Sequence, residues 1–527
     1  MNIPRLFWAA AAFAAFSLFA WRVQQGLWAP EFGDESEHFV GAQMLQAGGV
    51  LYRTYVDAHG PVVFMLAQLY GILFGWAHPN WARLIPALLA ASAGLCLAAS
   101  PSLAGTSARL AAATLFFGLT AAVWLMQALY MVDYYAPAGW FLLIGLGLFI
   151  VPAWKGARIS GPAAFASGAF CSLAALSAYS VIPSASILAL SGIWAAIRNG
   201  RSRQAATFIA GSVIVGLGIL TWLVIFGDLL GYLAFHIAAN QFVYAKYINF
   251  TFGSFLRALL PRLRPDAVVH ALGLLCCAWS FTVLLLKTGE SDSTPRGPSC
   301  GPAHLHWLPV ALGLIGVLLL NARGTMWFQD GTFLVTAIGW AAVSTPAVLL
   351  RLGSRSPAVL SCGPVLAIVA VVATVELTMR SYAVASPSGL TYRQLEQLPA
   401  SELGLLDTPM FRRVRAIVSP NERVLALVYD PGFYLAAGRL PIDKYYQYLP
   451  WDADYAKAPW FGRDHDLCAD LARSPPPLIY FDDWKVWNTF APEDYMPCVL
   501  DILARTYDRS AEFPKLYIRK DRVRTTR

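Results

Sequence analysis

Apolar residues dominate runs of close to twenty positions at 6–21, 83–100, 109–130, 135–153, 161–178, 181–197, 205–226, 267–286, 307–321, 331–350 and 358–378. A helix needs about 20 such residues to cross the hydrocarbon core of a bilayer, so the pattern predicts about 11 transmembrane helices. The run 62–77 is shorter and predicts a helix lying in the membrane interface. Beyond residue 380 the period changes. Strand-like runs at 423–429, 477–481 and 515–520 alternate with helix-like segments at 465–473 and 494–507, which predicts a small α/β domain. The expected division is a membrane domain over 1–379 and an α/β domain over 380–527. Within the first, an outer loop over 22–82 carries juxtamembrane helices.

Composition agrees. The chain is 57% hydrophobic and 13% charged, where a soluble domain carries about 25% charged residues. Of the 31 Asp and Glu, 12 lie before residue 380 and 19 after it. The apolar N-terminal stretch is read as an uncleaved first span rather than a signal peptide. The formal charge of +8 fits basic cytoplasmic loops better than nucleic-acid binding. Arg5, Lys155, Arg158, Arg198, Arg201, Arg203, Lys287, Arg296, Arg351 and Arg355 then lie inside. The N-terminus is cytoplasmic and residues 380–527 are extracytoplasmic. Cys468 and Cys498 fall on that oxidising side, where they can pair. No CxxC or zinc-type cysteine spacing occurs.

With this topology Glu31, Asp34, Glu35, Glu37, Asp57, Asp133, Asp228, Asp266, Asp330 and Glu376 all fall at the outer face. None sits mid-span, so a proton or ion relay through the membrane is disfavoured and chemistry at the outer mouth is favoured. Gly48-Gly49 ends a helix that begins near Asp34, and Gly60-Pro61 turns the chain into the interfacial stretch. Asp34 and Glu35 therefore sit in a first helical turn, where the helix dipole favours their ionised forms. An ionised carboxylate there accepts a proton from a hydroxyl. Glu37 reads as a solvated member of the same patch.

The order of four stretches adds to this: GDESEHFVGAQMLQAGG, LYRTYVDAHGPVVFMLAQLYGILFG, WARLIPALLAA and LMQALYMVDYYAPAGWFLLIGLGLFI. Together they resemble the GT-C glycosyltransferases of the protein-mannosyltransferase and aminoarabinose-transferase-like group, family 39-like. The matching positions are Asp34-Glu35, Tyr55 with Asp57 and Gly60-Pro61-Val62, Arg83 to Leu88, and Asp133. The likeness covers about residues 1–200, with the later spans similar by architecture and the stretch RVLALVYDPGFYLAAGRLPI similar to the outer domain of some bacterial members. It departs where the family reads Lys-Pro-Pro, here His59-Gly60-Pro61. It departs again at a lysine after the fifth span, here Ala178-Tyr179-Ser180.

The resemblance implies a GT-C fold in a bacterial inner membrane. It implies inverting transfer of a sugar from a polyprenyl-phosphate donor to a lipid, glycan or protein acceptor at the extracytoplasmic face. Asp34 would be the base, supported by Glu35 and Asp133. A divalent cation (Mg, Mn or Zn) on Asp34, Asp133 and His38 would fit hard carboxylate oxygens, although His38 also reads as a surface residue. With the family lysine missing, Arg257, Arg262, Arg264 and Arg323 are the candidates for donor phosphate, or for lipid headgroups. Tyr55, Asp57, His59, Tyr134 and Trp327 are the expected substrate contacts. Trp124, Tyr130, Tyr135, Trp140, Tyr244 and Tyr247 read as an interfacial belt or as sugar contacts. Tyr445, Tyr446, Tyr448, Trp451, Trp460, Trp484 and Trp487 read as a carbohydrate-facing surface or as the core of the tail. The alternatives to an enzyme are a transporter or flippase of lipid-linked saccharides and a non-catalytic scaffold.

Overall fold

The computed structural model describes residues 3–27, 29, 33–76, 79–103, 105–125, 127–247, 331–355, 408–428 and 430–523. The expected spans at 267–286, 307–321 and 358–378 lie outside the described residues. Among those described, six helices are long and apolar enough to cross a membrane: Arg5–Gly26, Pro79–Ala98, Thr106–Val123, Tyr135–Trp154, Tyr179–Arg198 and Ser202–Phe226. Gly161–Ser177 is a shorter apolar helix, and Gly331–Arg355 falls where a further span is expected. Pro61–Phe74, expected in the interface, has 14 residues, too few to cross.

The described residues divide into two compact units. The first takes its helices from Met1–Ala29 and Asn80–Ile219, with Gly331–Arg355. The second takes Pro30–Pro79, Leu220–Asn249 and the C-terminal residues from Thr408 on. In the first unit the Tyr135–Trp154 segment is central, with 94% of its apolar window buried. Two glycines let Gly161–Ser177 and Ser202–Phe226 cross closely. A Cβ on Gly168 would stand 1.9 Å from the Phe208 carbonyl oxygen, and one on Gly211 would stand 2.0 Å from that of Phe165. The approach is tied by Ser172 and Ser212 hydroxyls donating to Ser212 and Gly168 carbonyls at 2.8 and 2.9 Å, the small-residue packing that membrane helices use. Arg83, from the WARLIPALL stretch, closes the end of the first helix. It donates to the carbonyls of Gly26 and Ala29 at 3.0 and 2.6 Å and lies over the Tyr130 ring. Trp124, Tyr130 and Trp140 are buried in protein, so they are core residues and not an interfacial belt.

In the second unit, Gly33–Gln46 packs against Pro61–Phe74. Gly41 makes their approach possible, since a Cβ there would meet the Phe64 and Tyr55 rings at 2.6 and 2.7 Å. Pro61 opens the second helix at a position whose N–H has no helical partner. The C-terminal sheet holds β1 (Leu425–Leu427), β2 (Leu478–Phe481), β3 (Tyr507–Arg509) and β4 (Leu516–Arg519) in the order β1-β2-β4-β3. β1 runs parallel to β2 with Leu425 opposite Ile479, and β4 is antiparallel to β2 and β3. Leu425, Leu427, Tyr445, Tyr448, Ile479, Val499 and Leu503 form part of its core, so two of the tail tyrosines are core residues and not carbohydrate contacts.

Cys468 and Cys498 form a disulfide with Cα atoms 5.9 Å apart, joining helices Leu467–Arg473 and Pro497–Thr506. The bridge closes a separation of 30 residues, for which loss of chain entropy in the unfolded state gives about 3 to 4 kcal/mol. Replacing both cysteines by serine is expected to lower the denaturation midpoint of the C-terminal domain, followed by limited proteolysis at increasing temperature. An unchanged digestion profile would show that the bridge adds no stability.

Candidate active site

The helix Gly33–Gln46 is buried on nearly every side, its acids included. Glu35, Glu37 and His38 are 1%, 3% and 0% exposed, and Asp34 is partly buried. A buried carboxylate is costly unless paired, and the pairing is visible. Glu37 Oε1 lies 2.7 Å from His59 Nδ1, which also lies 2.8 Å from Asp57 Oδ1. His38 Nε2 stands 3.5 Å from the same Glu37 oxygen. Glu37 is therefore an internal residue and not the solvated member of the patch. It lies at the centre of the cluster.

The second loop is shaped to deliver His59. Asp57 Oδ1 accepts the His59 backbone N–H at 2.7 Å, a local turn that brings the two side chains together. The carbonyl of Ala58 accepts from Asn240 at 2.7 Å and lies 2.7 Å from His236 Nδ1. Burial pushes His236 down to about 4, so at neutral pH its Nδ1–H donates to that carbonyl. The Tyr52 hydroxyl donates to the His59 carbonyl at 2.6 Å. The C-terminal residues complete the wall. Tyr446 donates to Glu37 Oε2 at 3.1 Å and stacks on Tyr55 at 4.9 Å and 19°. Tyr55 in turn donates to the Glu37 carbonyl. Gln447 approaches Glu37 Oε2 at 3.5 Å and bonds the Tyr446 hydroxyl at 3.0 Å.

Electrostatics follow from this packing. Burial, reinforced by the Glu37 carboxylate, pushes Asp34 up to about 8. The helix dipole expected to keep it ionised is outweighed by lost solvation. Burial likewise pushes Glu37 up to about 7 against the pull of His59. Burial would lower His59 and raise Asp57. Their mutual attraction, with Glu37 on the His59 side, reverses both, holding His59 well above and Asp57 below the ordinary values. Asp430, an exposed residue whose Oδ1 accepts from the Gly432 N–H at 2.7 Å, adds negative charge near Asp34.

Glu37, His38 and His59 offer ligand atoms that lie within 4.8 Å of one another. With the His59 ring proton displaced, the donor set would fit a divalent metal, and two imidazoles with one carboxylate suit zinc or manganese better than magnesium. The group takes His38 from the three residues expected at a metal and brings in Glu37 and His59. Asp133, in the first unit, is buried, and its Oδ1 caps the helix Tyr135–Gly145 by accepting from Tyr135 and Ala136 N–H at 2.9 and 3.1 Å. Tyr134 is buried against Tyr135. Arg257, Arg262, Arg264, Arg323 and Trp327 lie outside the described residues. Glu37, His236, Asn240, Asp430 and Tyr446 are absent from the expected site. Only the density of tyrosines at 445–448 hinted at the last.

No protein-family model matches the chain, and no curated protein sequence matches it. Solved structures do. The chain is similar to an oligosaccharyltransferase of Archaeoglobus fulgidus tethered with an acceptor peptide, at 13% identity over 96% of this chain and 74% of that one, with a TM-score of 0.49. It is also similar to ArnT from Cupriavidus metallidurans bound to undecaprenyl phosphate, at 14% identity over 98% of this chain and 97% of that one, with a TM-score of 0.55. The second likeness shows the fold: a polytopic helical membrane protein of the GT-C type, carrying a C-terminal α/β domain.

Proposed function

We propose that this chain is a glycosyltransferase that moves a sugar from a polyprenyl-phosphate donor to an acceptor hydroxyl at the extracytoplasmic membrane face. The observation that carries the reading is Asp34, a partly buried carboxyl raised to about 8 beside the buried Glu37–His59–Asp57 cluster, on the helix that follows the first span. The fold shared with ArnT, solved with undecaprenyl phosphate, supports the donor class. The Cys468–Cys498 bridge supports an oxidising compartment for the C-terminal domain, and the localisation that goes with this reading is a bacterial inner membrane with a cytoplasmic N-terminus.

In this mechanism the acceptor oxygen attacks the anomeric carbon while the bond from that carbon to the phosphate oxygen breaks, inverting the centre. The acceptor proton passes to Asp34 and the polyprenyl phosphate leaves with the bonding pair. A base near 8 is stronger than an ordinary carboxylate and still available near neutral pH. Glu37, His38 and His59 would hold a zinc or manganese ion, which supplies fixed positive charge beside the reacting groups. Tyr446 and Gln447 orient Glu37, Glu35 steadies the first turn, and Asp133 fixes the turn bearing Tyr134. Tyr55, Asp57 and His59 line the acceptor side. Arg257, Arg262, Arg264, Arg323 and Trp327 remain the proposed donor contacts.

Two outcomes are expected. Asp34→Asn abolishes transfer of labelled sugar from membrane vesicles while the purified protein keeps its elution profile. In the parent protein kcat/KM rises with pH through about 8, because the base works only when deprotonated. Full activity in the variant, or a rate flat across that range, removes Asp34 from the mechanism. Separately, dialysis against zinc followed by elemental analysis is expected to leave near-stoichiometric metal on the parent and to lose it in Glu37→Gln. That substitution keeps the shape and removes the charged ligand, so zinc retained by the variant rules out Glu37.

A further inference from the structure

We propose that the loop around Trp460 and Phe461 in the C-terminal domain is a membrane anchor, seated in the lipid interface beside the end of the span Ser202–Phe226. The last turns of that span expose Val224 and Ile225 at 66% and 64%, which a crossing helix presents to lipid. Two residues past its end, Asp228 caps the short turn Leu229–Gly231 by accepting from the Gly231 N–H. The same carboxylate holds Arg463, whose Nη2 lies 3.0 Å from Oδ1 and 2.8 Å from Oδ2. That ion pair pins residues of the C-terminal domain to the helix end.

The pinned loop is apolar where it faces out. Trp460 and Phe461 are 38% and 51% exposed, and Trp460 stacks on the exposed Phe242 at 5.2 Å and 18°. Leu229 and Leu230 are exposed as well. Exposed apolar residues therefore lie on both sides of the Asp228–Arg463 ion pair, on the helix end and on the loop. Aromatic rings at this level are what a bilayer interface accepts.

The loop is also held rigidly at its base. The Tyr455 hydroxyl, buried against Phe235, accepts from the Trp460 N–H at 3.2 Å and donates to the Arg463 carbonyl at 2.8 Å. Phe461 and Gly462 follow one another with φ of 52° and 66°, a conformation that only glycine adopts freely. The bulky Phe461 is thus kept in a left-handed turn pointing away from the domain core. A bilayer is favoured over a saccharide as occupant because the loop is pinned to the end of a helix long and apolar enough to cross a membrane.

The test uses the full-length protein in nanodiscs, with an environment-sensitive fluorescent amino acid replacing Phe461. A second sample carries the same amino acid in place of Glu512, an exposed residue of the same domain. The proposal expects blue-shifted emission at position 461 and loss of most of it when the bilayer contains lipids with a nitroxide near the headgroup. Position 512 should show neither effect. Trp460→Ser added to the position-461 sample should restore much of the quenched emission. Equal emission and equal quenching at the two positions would overturn the proposal. So would a response at 461 to soluble glycan without any response to nitroxide lipid.

Discussion

The burial of Glu37 is the constraint around which the second unit is arranged. A carboxylate at 3% exposure forfeits its hydration, and a lone buried charge is strongly disfavoured. His59 answers it at 2.7 Å, and Asp57 at 2.8 Å holds His59 in place. Removing one member of such a buried set typically costs about 3–5 kcal/mol because the others lose their compensation. Each further element supplies one missing restraint: Tyr52, His236 and Asn240 on the backbone of the His59 loop, Tyr446 on the second oxygen of Glu37.

The same arrangement gives two carboxyls of one helix different surroundings. Glu37 is held by His59 and Tyr446 and is raised by burial to about 7. Asp34 lies one helical turn earlier, feels Glu37 and Asp430 as like charges, and is raised to about 8. Both carboxyls are raised, and raised buried carboxyls are the kind of group that acid and base chemistry uses. The environment, not the residue type, distinguishes the two: one carboxyl is bonded to an imidazole and a phenol, the other faces like charges.

The membrane helices were legible because their signal is local. A run of about twenty apolar residues defines a span whatever its partners are, and three of the four strands lie where branched and aromatic residues cluster. The unpredicted β3, Tyr507–Arg509, has two exposed charged residues of three and offers no such cluster. The site was half legible. Asp34, Tyr55, Asp57 and His59 stand in one stretch whose order resembles a known family. Glu37 was misjudged because GDESEHF looks solvated by composition, and its burial comes from residues far along the chain. Tyr446 is 409 positions away and the Ala58 contacts of His236 and Asn240 are 178 and 182 away. No periodicity within the sequence encodes such pairings.

The composition break near residue 380 and the division by compactness therefore report different physics. The first marks where apolar runs of spanning length end. The second marks which segments satisfy one another, and it draws Pro30–Pro79 and Leu220–Asn249 together with the C-terminal residues. A short outer loop could not bury four ionisable side chains by itself, because it has too little apolar mass to surround them. The C-terminal sheet and its core supply that mass. Main-chain links fasten the pieces together: Lys444 N–H donates to the Thr54 carbonyl, and Leu51 pairs with the turn at Gly227. On this argument the α/β domain belongs to the candidate site as structurally as the helix that carries Asp34, since without it Glu37 has neither its second hydrogen bond nor its dry surroundings.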